Sequence, residues 1–437
     1  MGRRLLPVLA LAALLPGLSV AAAAPAQGAA QRSAEAARHA SHAPADAVLA
    51  WNVIAVNSTL AAKTFQAEGL IHLSYVQAAV YDAVVAIEGG YQPYTGHLRG
   101  PRWASVDAAV AAAAHDVLVV RHPAQQADLD ATYAGYLAGL ANGAAKTAGL
   151  RVGHRAAADL LAARAGDGLN AAVAYSFGSG PGAWILPTDN LAPAFLTPQT
   201  PWVAQMRPFL IDSAAEFRPG PPPALTSARY AADLNETQAY GSLTSSVRTA
   251  EQTQTALFWT TNAIAGDNAT IRNLAVGHHF DALRTARALA MDDLVESDTL
   301  MACWDAKYHY SLWRPYTAIR GAGTDGNPAT MADPAWLPLT PTPNHPEYPA
   351  AHACGTGAQA EVVAALLHTR RIGLDIASAV TGTTRHYATV AALDAEIVNA
   401  RVWAGLHYRN SGEVGLRLAR AVARAALDES FQPTRQR

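Results

Sequence analysis

Cysteine is nearly absent from the chain: two residues in 437, Cys303 and Cys354. Two cysteines cannot staple a protein of this size or supply a four-ligand zinc set such as paired C-x-x-C, so stability has to come from packing. Charge is scarce too. Charged side chains make up 15% of the chain, against roughly a quarter in ordinary soluble domains. The 32 Lys+Arg and 34 Asp+Glu balance to a net charge of −2. Without a basic excess nothing neutralises a phosphate backbone, which argues against a nucleic-acid partner. H-E-x-x-H is missing and His278 and His279 are adjacent rather than on one helix face, so a zinc hydrolase is poorly supported. No G-x-S-x-G elbow presents a serine nucleophile. What is plentiful is apolar side chains, 51% of the sequence, enough for one large core or two ordinary ones. Disorder and coiled coil are thereby excluded as whole-chain readings.

The first residues read as a processing signal. Arg3 and Arg4 give a positive n-region, Leu5 to Leu15 an apolar stretch, and Ser19 to Ala24 a run of small residues suited to a signal peptidase. Residues 1–28 are therefore expected to be a signal peptide cleaved between Ala22 and Ala29, making the protein secreted or exported to the cell envelope. An uncleaved membrane anchor is the rival, since the stretch to Ala24 approaches the ~20 residues of a span, but Pro7, Pro16 and Gly17 weaken it. No stable membrane insertion is expected after cleavage. Residues 29–47, rich in Ala, Ser, His and Pro, read as a flexible leader, and 48–437 as a single domain.

From Val48 onward the 3.6-residue period dominates. Leu73, Val76, Val80, Val84 and Ile87 line one helix face, and Gly89-Gly90 stops the run. Similar patterns occupy about 105–120, 124–142, 146–165, 228–264, 270–296, 298–313, 356–369, 394–403 and 411–428. Alternating strand patterns of useful length are scarce. The segment from Gly178 to Pro223 is instead rich in proline, with Trp184, Phe195, Trp202, Phe209 and Phe217 interspersed. Leaving those aromatics in water is costly, so the segment is expected to pack as a loop over helices. The class is all-α, with about ten or more helices, either one bundle or two bundle-like halves joined by this loop.

Three segments of the C-terminal third carry chemistry. In Lys307-Tyr-His-Tyr-Ser-Leu-Trp-Arg314-Pro315, seven helical steps point Lys307 and Arg314 the same way, with Pro315 putting Arg314 at or just past the helix end. Alone, this is equally a solvated basic face with Asp305 as partner. In Asn344-His-Pro-Glu-Tyr-Pro349-Ala350-Ala351-His352, a proline-rich loop feeds a helix through small residues, presenting backbone N–H groups at the positive end of the helix dipole with His352 at its mouth. Taken alone, its ordinary reading is a helix start with a surface histidine. In Arg401-Val-Trp-Ala-Gly405-Leu-His407-Tyr-Arg-Asn410-Ser411-Gly412-Glu413, six steps separate Arg401 from His407 by about 120°. Gly405 offers a break, and Asn410 with Glu413 has capping-box spacing, so His407 is expected on a connection between helices. Its ordinary reading is a core histidine bonded to backbone.

Joined in order, Lys-x6-Arg-Pro, Pro-x-x-His and Arg-x5-His supply three cations and two histidines, which suits a tetrahedral oxyanion with one covalent or coordinate partner. In these motifs, spread over 303–413, the chain resembles the vanadium-dependent haloperoxidases and the type 2 phosphatidic acid phosphatase superfamily that contains them. The resemblance is strongest over about 298–428, and the earlier helices and Pro219 to Pro223 look similar to secreted bacterial members. It implies two four-helix bundles with long connecting loops and an anion site between helices. It implies vanadate as cofactor, its oxygens held by Lys307, Arg314, Arg401 and the N–H groups of Ala350 and Ala351, with His407 ligating vanadium. Lys307 then polarises peroxide, His352 is the acid/base, and hydrogen peroxide, a halide and a small organic acceptor are the partners. On the phosphatase branch His407 attacks a phosphomonoester to form a phosphohistidine while His352 protonates the leaving alcohol. A third possibility is a catalytically silent oxyanion-binding relative.

The chain departs from that family's pattern at two places. Ala350 and Ala351 stand where it usually has Ser-Gly, removing a hydroxyl donor, and Ser411 stands where it commonly has an aspartate four residues after the last histidine. A lost bond to a charged group is worth on the order of 1.5–3 kcal/mol. Cys303, one turn before Lys307, and Cys354, two residues after His352, are expected to be brought together by a shared site and to form a disulfide in an oxidising compartment. The sequence leaves the oligomeric state open.

Overall fold

The computed structural model describes residues 45–187, 190 and 196–434. The expected signal peptide, all but the last residues of the leader, and Phe195 lie outside the described residues. Helices account for most of the remainder. The N-terminal bundle is built from α1 (Asp46–Ala61), α2 (Gln66–Glu88), α3 (Val106–Arg121) and α5 (Ala144–Ala163), with α4 (Gln126–Ala138) packed on α3. Every residue from Gly69 to Ile87 in α2 is buried. A helix apolar around its whole circumference belongs at the centre of a bundle, and α2 is long and apolar enough to cross a membrane only by length and composition. It stops at Gly89, whose φ is +70°, as the Gly-Gly pair predicts.

Next come α6 (Ala228–Gly241), α7 (Ala250–Phe258) and α8 (Ala263–Gly277). They are followed by the longest helix, α9 (Ala282–Tyr310), and a short α10 (Pro315–Arg320). The second bundle comprises α9, α11 (Ala351–Leu367), α12 (Val390–Trp403) and α13 (Arg409–Glu429). Because α9 packs on both α2 and α11, it belongs to both bundles, and one continuous core runs through them.

The helix register differs from expectation in two places. The 228–264 pattern is two helices, α6 and α7, followed by the entry to α8. The expected division near residue 297 is absent: Ser297 is buried inside unbroken α9, and the real boundary is at Asp281, whose side chain caps α9 by accepting from Arg284 N–H at 2.8 Å. An antiparallel hairpin, β1 (Leu374–Ser378) with β2 (Thr383–Tyr387), joins α11 to α12. The alternation in its first strand is only five residues long, Leu374, Ile376 and Ser378 facing in, too short to stand out among helical patterns.

The proline-rich segment packs over the helices. Trp184, Trp202 and Phe209 are buried, and the buried carboxylate of Asp298 in α9 accepts from the N–H groups of Phe209, Leu210 and Ile211 at 2.6, 2.6 and 3.0 Å. Farther along, Arg218 forms a bidentate pair with Asp305 at 2.6 and 2.8 Å. That contact takes up the carboxylate that the bland reading of Lys307 would have required. Tyr310 and Tyr348 hydroxyls donate to the carbonyls of Pro219 and Gly220 at 2.6 and 2.7 Å, fixing the loop against the segment that carries the three motifs.

Candidate active site

Lys307 lies in the last turn of α9, which ends at Tyr310 with Ser311 in the left-handed region. Arg314 is therefore beyond the helix, at the N-cap of α10 with Pro315 at its first position. The two cations do not share a helix face, yet both are fully buried and turn to the same loop. Lys307 Nζ donates to the carbonyls of Pro346 and Glu347 at 3.0 Å each, and to that of Pro349. Arg314 donates to the carbonyls of His345 (2.8 Å) and Leu406 (3.0 Å) and reaches His407 Nε2 at 3.0 Å. Its Nη2 also contacts the His345 ring, at 2.9 and 3.2 Å from the two nitrogens.

Arg401 and His407 are brought in by the end of α12. There Gly405 adopts φ +76°, its N–H donates to Val402 O at 2.9 Å, and Leu406 N–H donates to Arg401 O at 3.1 Å. These are the two bonds of a Schellman C-cap with glycine at C′. The turn swings His407 off the helix axis and into the cluster, as the glycine break predicts. The next helix starts differently from expectation. Tyr408, not Asn410, is the N-cap of α13 and no side chain caps it. Glu413 is instead paired with Arg229 at 3.0 Å.

His407 is fully buried. Its Nδ1 lies 3.0 Å from Glu347 Oε1, which also accepts from Tyr408 N–H at 3.0 Å. Glu347 Oε2 accepts from the Ser411 hydroxyl at 2.6 Å. Burial pushes the Glu347 carboxyl up to about 7 and the Lys307 ammonium down to about 8. Burial likewise lowers Arg314 to about 10 and Arg401 to about 9, with Arg314 adding to the latter shift. The imidazoles of His345, His352 and His407 are all held well below the ordinary histidine range, by desolvation first and by the neighbouring guanidinium groups second.

His352 is half-buried, in the first turn of α11. With His345 it lines a cavity of about 130 Å³ walled by Trp259 and Trp304 and floored by Asp267 and Glu296. Arg401 Nη1 donates to the carbonyl of Trp259 at 3.1 Å, while its buried Nε has no partner. Ala350 does not supply the donor expected of it: its N–H is taken by Ser411 O at 3.0 Å and its side chain is fully buried at the N-cap of α11. Ala351 is the first residue of that helix, where N–H groups lack an intrahelical acceptor. Cys303 and Cys354 are buried side by side as free thiols, so the shared location holds and the disulfide does not.

Lys307, Arg314, Arg401, His352 and His407 thus gather in one place. Of the carboxylates near the three buried cations, Glu347 alone is hydrogen-bonded into the cluster among the described residues, and Asp267 and Glu296 lie on the far side of the His352 cavity. A buried cation without a bonded counter-charge is expensive. The orphaned Arg401 Nε and the Nε2 lone pair of His407 complete a donor set suited to a tetrahedral oxyanion.

The helical-bundle fold is similar to that of solved bacterial vanadium haloperoxidases. Residues 287–435 match the family described as "VCPO second helical-bundle domain". One similar solved structure is the first bacterial vanadium-dependent iodoperoxidase, at 21% identity and a TM-score of 0.72, covering 90% of this chain and 98% of that one. The holo form of a bacterial vanadium-dependent chloroperoxidase aligns at 18% identity and TM-score 0.66 over 86% of this chain and 92% of that one. Its apo form gives the same identity and TM-score over 82% and 92%. The curated proteins contain no match.

Two members of the site lie outside the three spaced motifs, Glu347 and His345. Both sit in the same Asn344-His-Pro-Glu-Tyr-Pro349 run as the anion loop. The available signal was an acid between two prolines in an apolar loop, a place where a carboxylate persists only with partners.

Proposed function

We propose that the protein is a vanadium-dependent haloperoxidase that oxidises halide with hydrogen peroxide and passes the oxidised halogen to a small organic acceptor. The observation that carries this reading is the desolvated cluster of Lys307, Arg314 and Arg401 around a histidine that offers its Nε2 lone pair. Vanadate bound there would supply the Lewis acidity that activates peroxide. His407 Nε2 would coordinate vanadate and Lys307, Arg314 and Arg401 would hold its oxygens. Lys307 would have to leave its carbonyls and Arg314 the His407 nitrogen, whereas Arg401 Nε is already without a partner. Ala351 N–H remains as a backbone donor, whereas Ala350 N–H does not. His352, at the cavity wall and neutral because its surroundings disfavour imidazolium, accepts a proton from the incoming peroxide. Export directed by residues 1–28 belongs to the same proposal, and the mass of the mature chain recovered from the medium or cell envelope tests it.

Vanadate titration calorimetry, followed by a peroxide-dependent halogenation assay with iodide, bromide and chloride beside a phosphomonoesterase assay, tests the activity. Halogenation in the vanadate-loaded wild type is expected. His407→Ala is expected to lose vanadate binding and turnover together, and His352→Ala to bind vanadate yet slow by roughly 10²–10⁴-fold. Phosphoester hydrolysis without halide oxidation would assign the site to the phosphatase branch, and tight binding without either reaction to a silent oxyanion binder. Exchanged phenotypes would reverse the two histidine roles.

A further inference from the structure

His407 is bracketed by two neighbours of opposite character. Arg314 Nη1 lies 3.0 Å from Nε2 and Glu347 Oε1 lies 3.0 Å from Nδ1. A guanidinium has only donors, so the nitrogen facing it must present a lone pair. A neutral imidazole carries one proton, which therefore sits on Nδ1 and is donated to Glu347. Glu347 is itself immobilised, accepting from Tyr408 N–H at 3.0 Å and from the Ser411 hydroxyl at 2.6 Å. Its side chain is completely buried, and its bonds go to His407 and to two residues of the four that follow it. A carboxylate buried for fold stability alone has no reason to spend its acceptors on this one imidazole and the chain leading from it.

We propose that Glu347 is the positioning residue of His407: anchored by Ser411 and Tyr408 N–H, it holds the imidazole as the Nδ1–H tautomer and aims Nε2 into the cationic cluster. The inference rests on the reading that an oxyanion is held at Nε2, and it explains how Ser411 serves the site without a carboxylate of its own. Ser411 does not meet the anion; it clamps an acid supplied by another segment. Outer-shell partners of this kind typically change metal affinity by roughly 10–100-fold when removed.

The test reads the tautomer directly. Nitrogen-15 spectra of histidine-labelled, anion-free protein, with His407→Ala used to assign the signal, are expected to show Nδ1 protonated and Nε2 bare. In Glu347→Ala the proton is expected to redistribute and the vanadate Kd to rise by roughly 10–100-fold. Adding Ser411→Asp to that variant, which offers a carboxylate to the vacated place, is expected to restore most of both. A wild-type His407 carrying its proton on Nε2, or a folded Glu347→Ala with native tautomer and native Kd, would overturn the proposal. Should Glu347→Ala fail to fold, Glu347→Asp withdraws the carboxylate by about one C–C bond, ~1.5 Å. It is expected to weaken vanadate binding roughly tenfold, and a native tautomer with a native Kd there overturns the proposal equally. Wild-type protein with the stated tautomer that binds no vanadate would sink the haloperoxidase reading and leave the positioning role standing, to be followed with inorganic phosphate as the probe.

Discussion

Ala350 shows how a position can be read correctly in place and wrongly in function. The sequence puts it at the mouth of the anion loop, and the structure puts it at the N-cap of α11 with φ −73° and ψ 118° and no side-chain cap. Its N–H, however, is spent on Ser411 O, which ties the loop to the first turn of α13. The extended N-cap geometry is what a serine needs to accept from the first-turn N–H groups. Ala350→Ser is expected to raise stability by about 1 kcal/mol, read as a higher Tm. It is also expected to tighten vanadate binding by about tenfold as the hydroxyl donates onward to the oxyanion. A raised Tm with an unchanged calorimetric Kd would show that the hydroxyl serves only the helix. At this scale Lys307, Arg314, Arg401, His352 and His407 were legible because each lies in a short motif of fixed spacing. The partnership of Glu347 with His407 was not, since it depends on a loop crossing a turn 60 residues later.

At the scale of elements, the break at Gly405 was legible and its necessity is physical. The residue has φ +76°, and a Cβ there would stand 2.6 Å from Gly241 O and 2.8 Å from Pro338 Cβ. Both the conformation and the contact exclude a side chain. Gly405→Ala is expected to destabilise the fold by about 2 kcal/mol or more and, by displacing the connection that carries His407, to weaken vanadate binding more than Tm loss alone explains. Urea unfolding and vanadate titration of the same variant check this; native anion affinity in a destabilised protein would show that the turn is needed for folding but not for aim. The continuity of α9 was not legible, because Glu296-Ser297-Asp298 looks like a solvated stop. The buried acceptors of Asp298 are instead used by three loop N–H groups. The misread capping box has a similar cause: Asn410 and Glu413 have the spacing, but Tyr408 N–H is already satisfied by Glu347, so the chain enters α13 two residues earlier.

Across the whole molecule, the buried charge is divided between two sets of groups whose pH dependences oppose one another. Besides the cationic site, Asp267, Asp292, Asp293 and Glu296 cluster in the core below the cavity, with Asp292 Oδ1, Asp293 Oδ2 and Glu296 Oε2 unpartnered. Burial raises Asp267 to about 7 and Asp293 to about 8, and burial with mutual repulsion raises Asp292 and Glu296 well above their ordinary values. A carboxyl whose folded pKa exceeds its unfolded value near 4 binds more protons in the native state. Its contribution is complete below that unfolded pKa and is lost as pH rises through 7 to 8. The buried histidines act the other way: burial lowers His72 to about 3 and His122 to about 4, so their contribution is complete above about 6.5 and is lost only on acidification. Lys307, lowered to about 8, gives a rising slope only above that pH. Between about pH 6.5 and 8 the raised carboxyls therefore set the main slope. His115, whose desolvation is outweighed by hydrogen bonds to Asp116 and Asp130 that raise it, adds to that slope in the same direction. Stability is expected to fall across that window by about 1.4 kcal/mol per pH unit for each extra native proton. Urea midpoints at pH 6.5 and 8.0 and fixed ionic strength measure it, and Asp293→Asn is expected to flatten the slope. A midpoint that holds or rises with pH would show that the four acids ionise at ordinary pKa values and would overturn this account of the core acids.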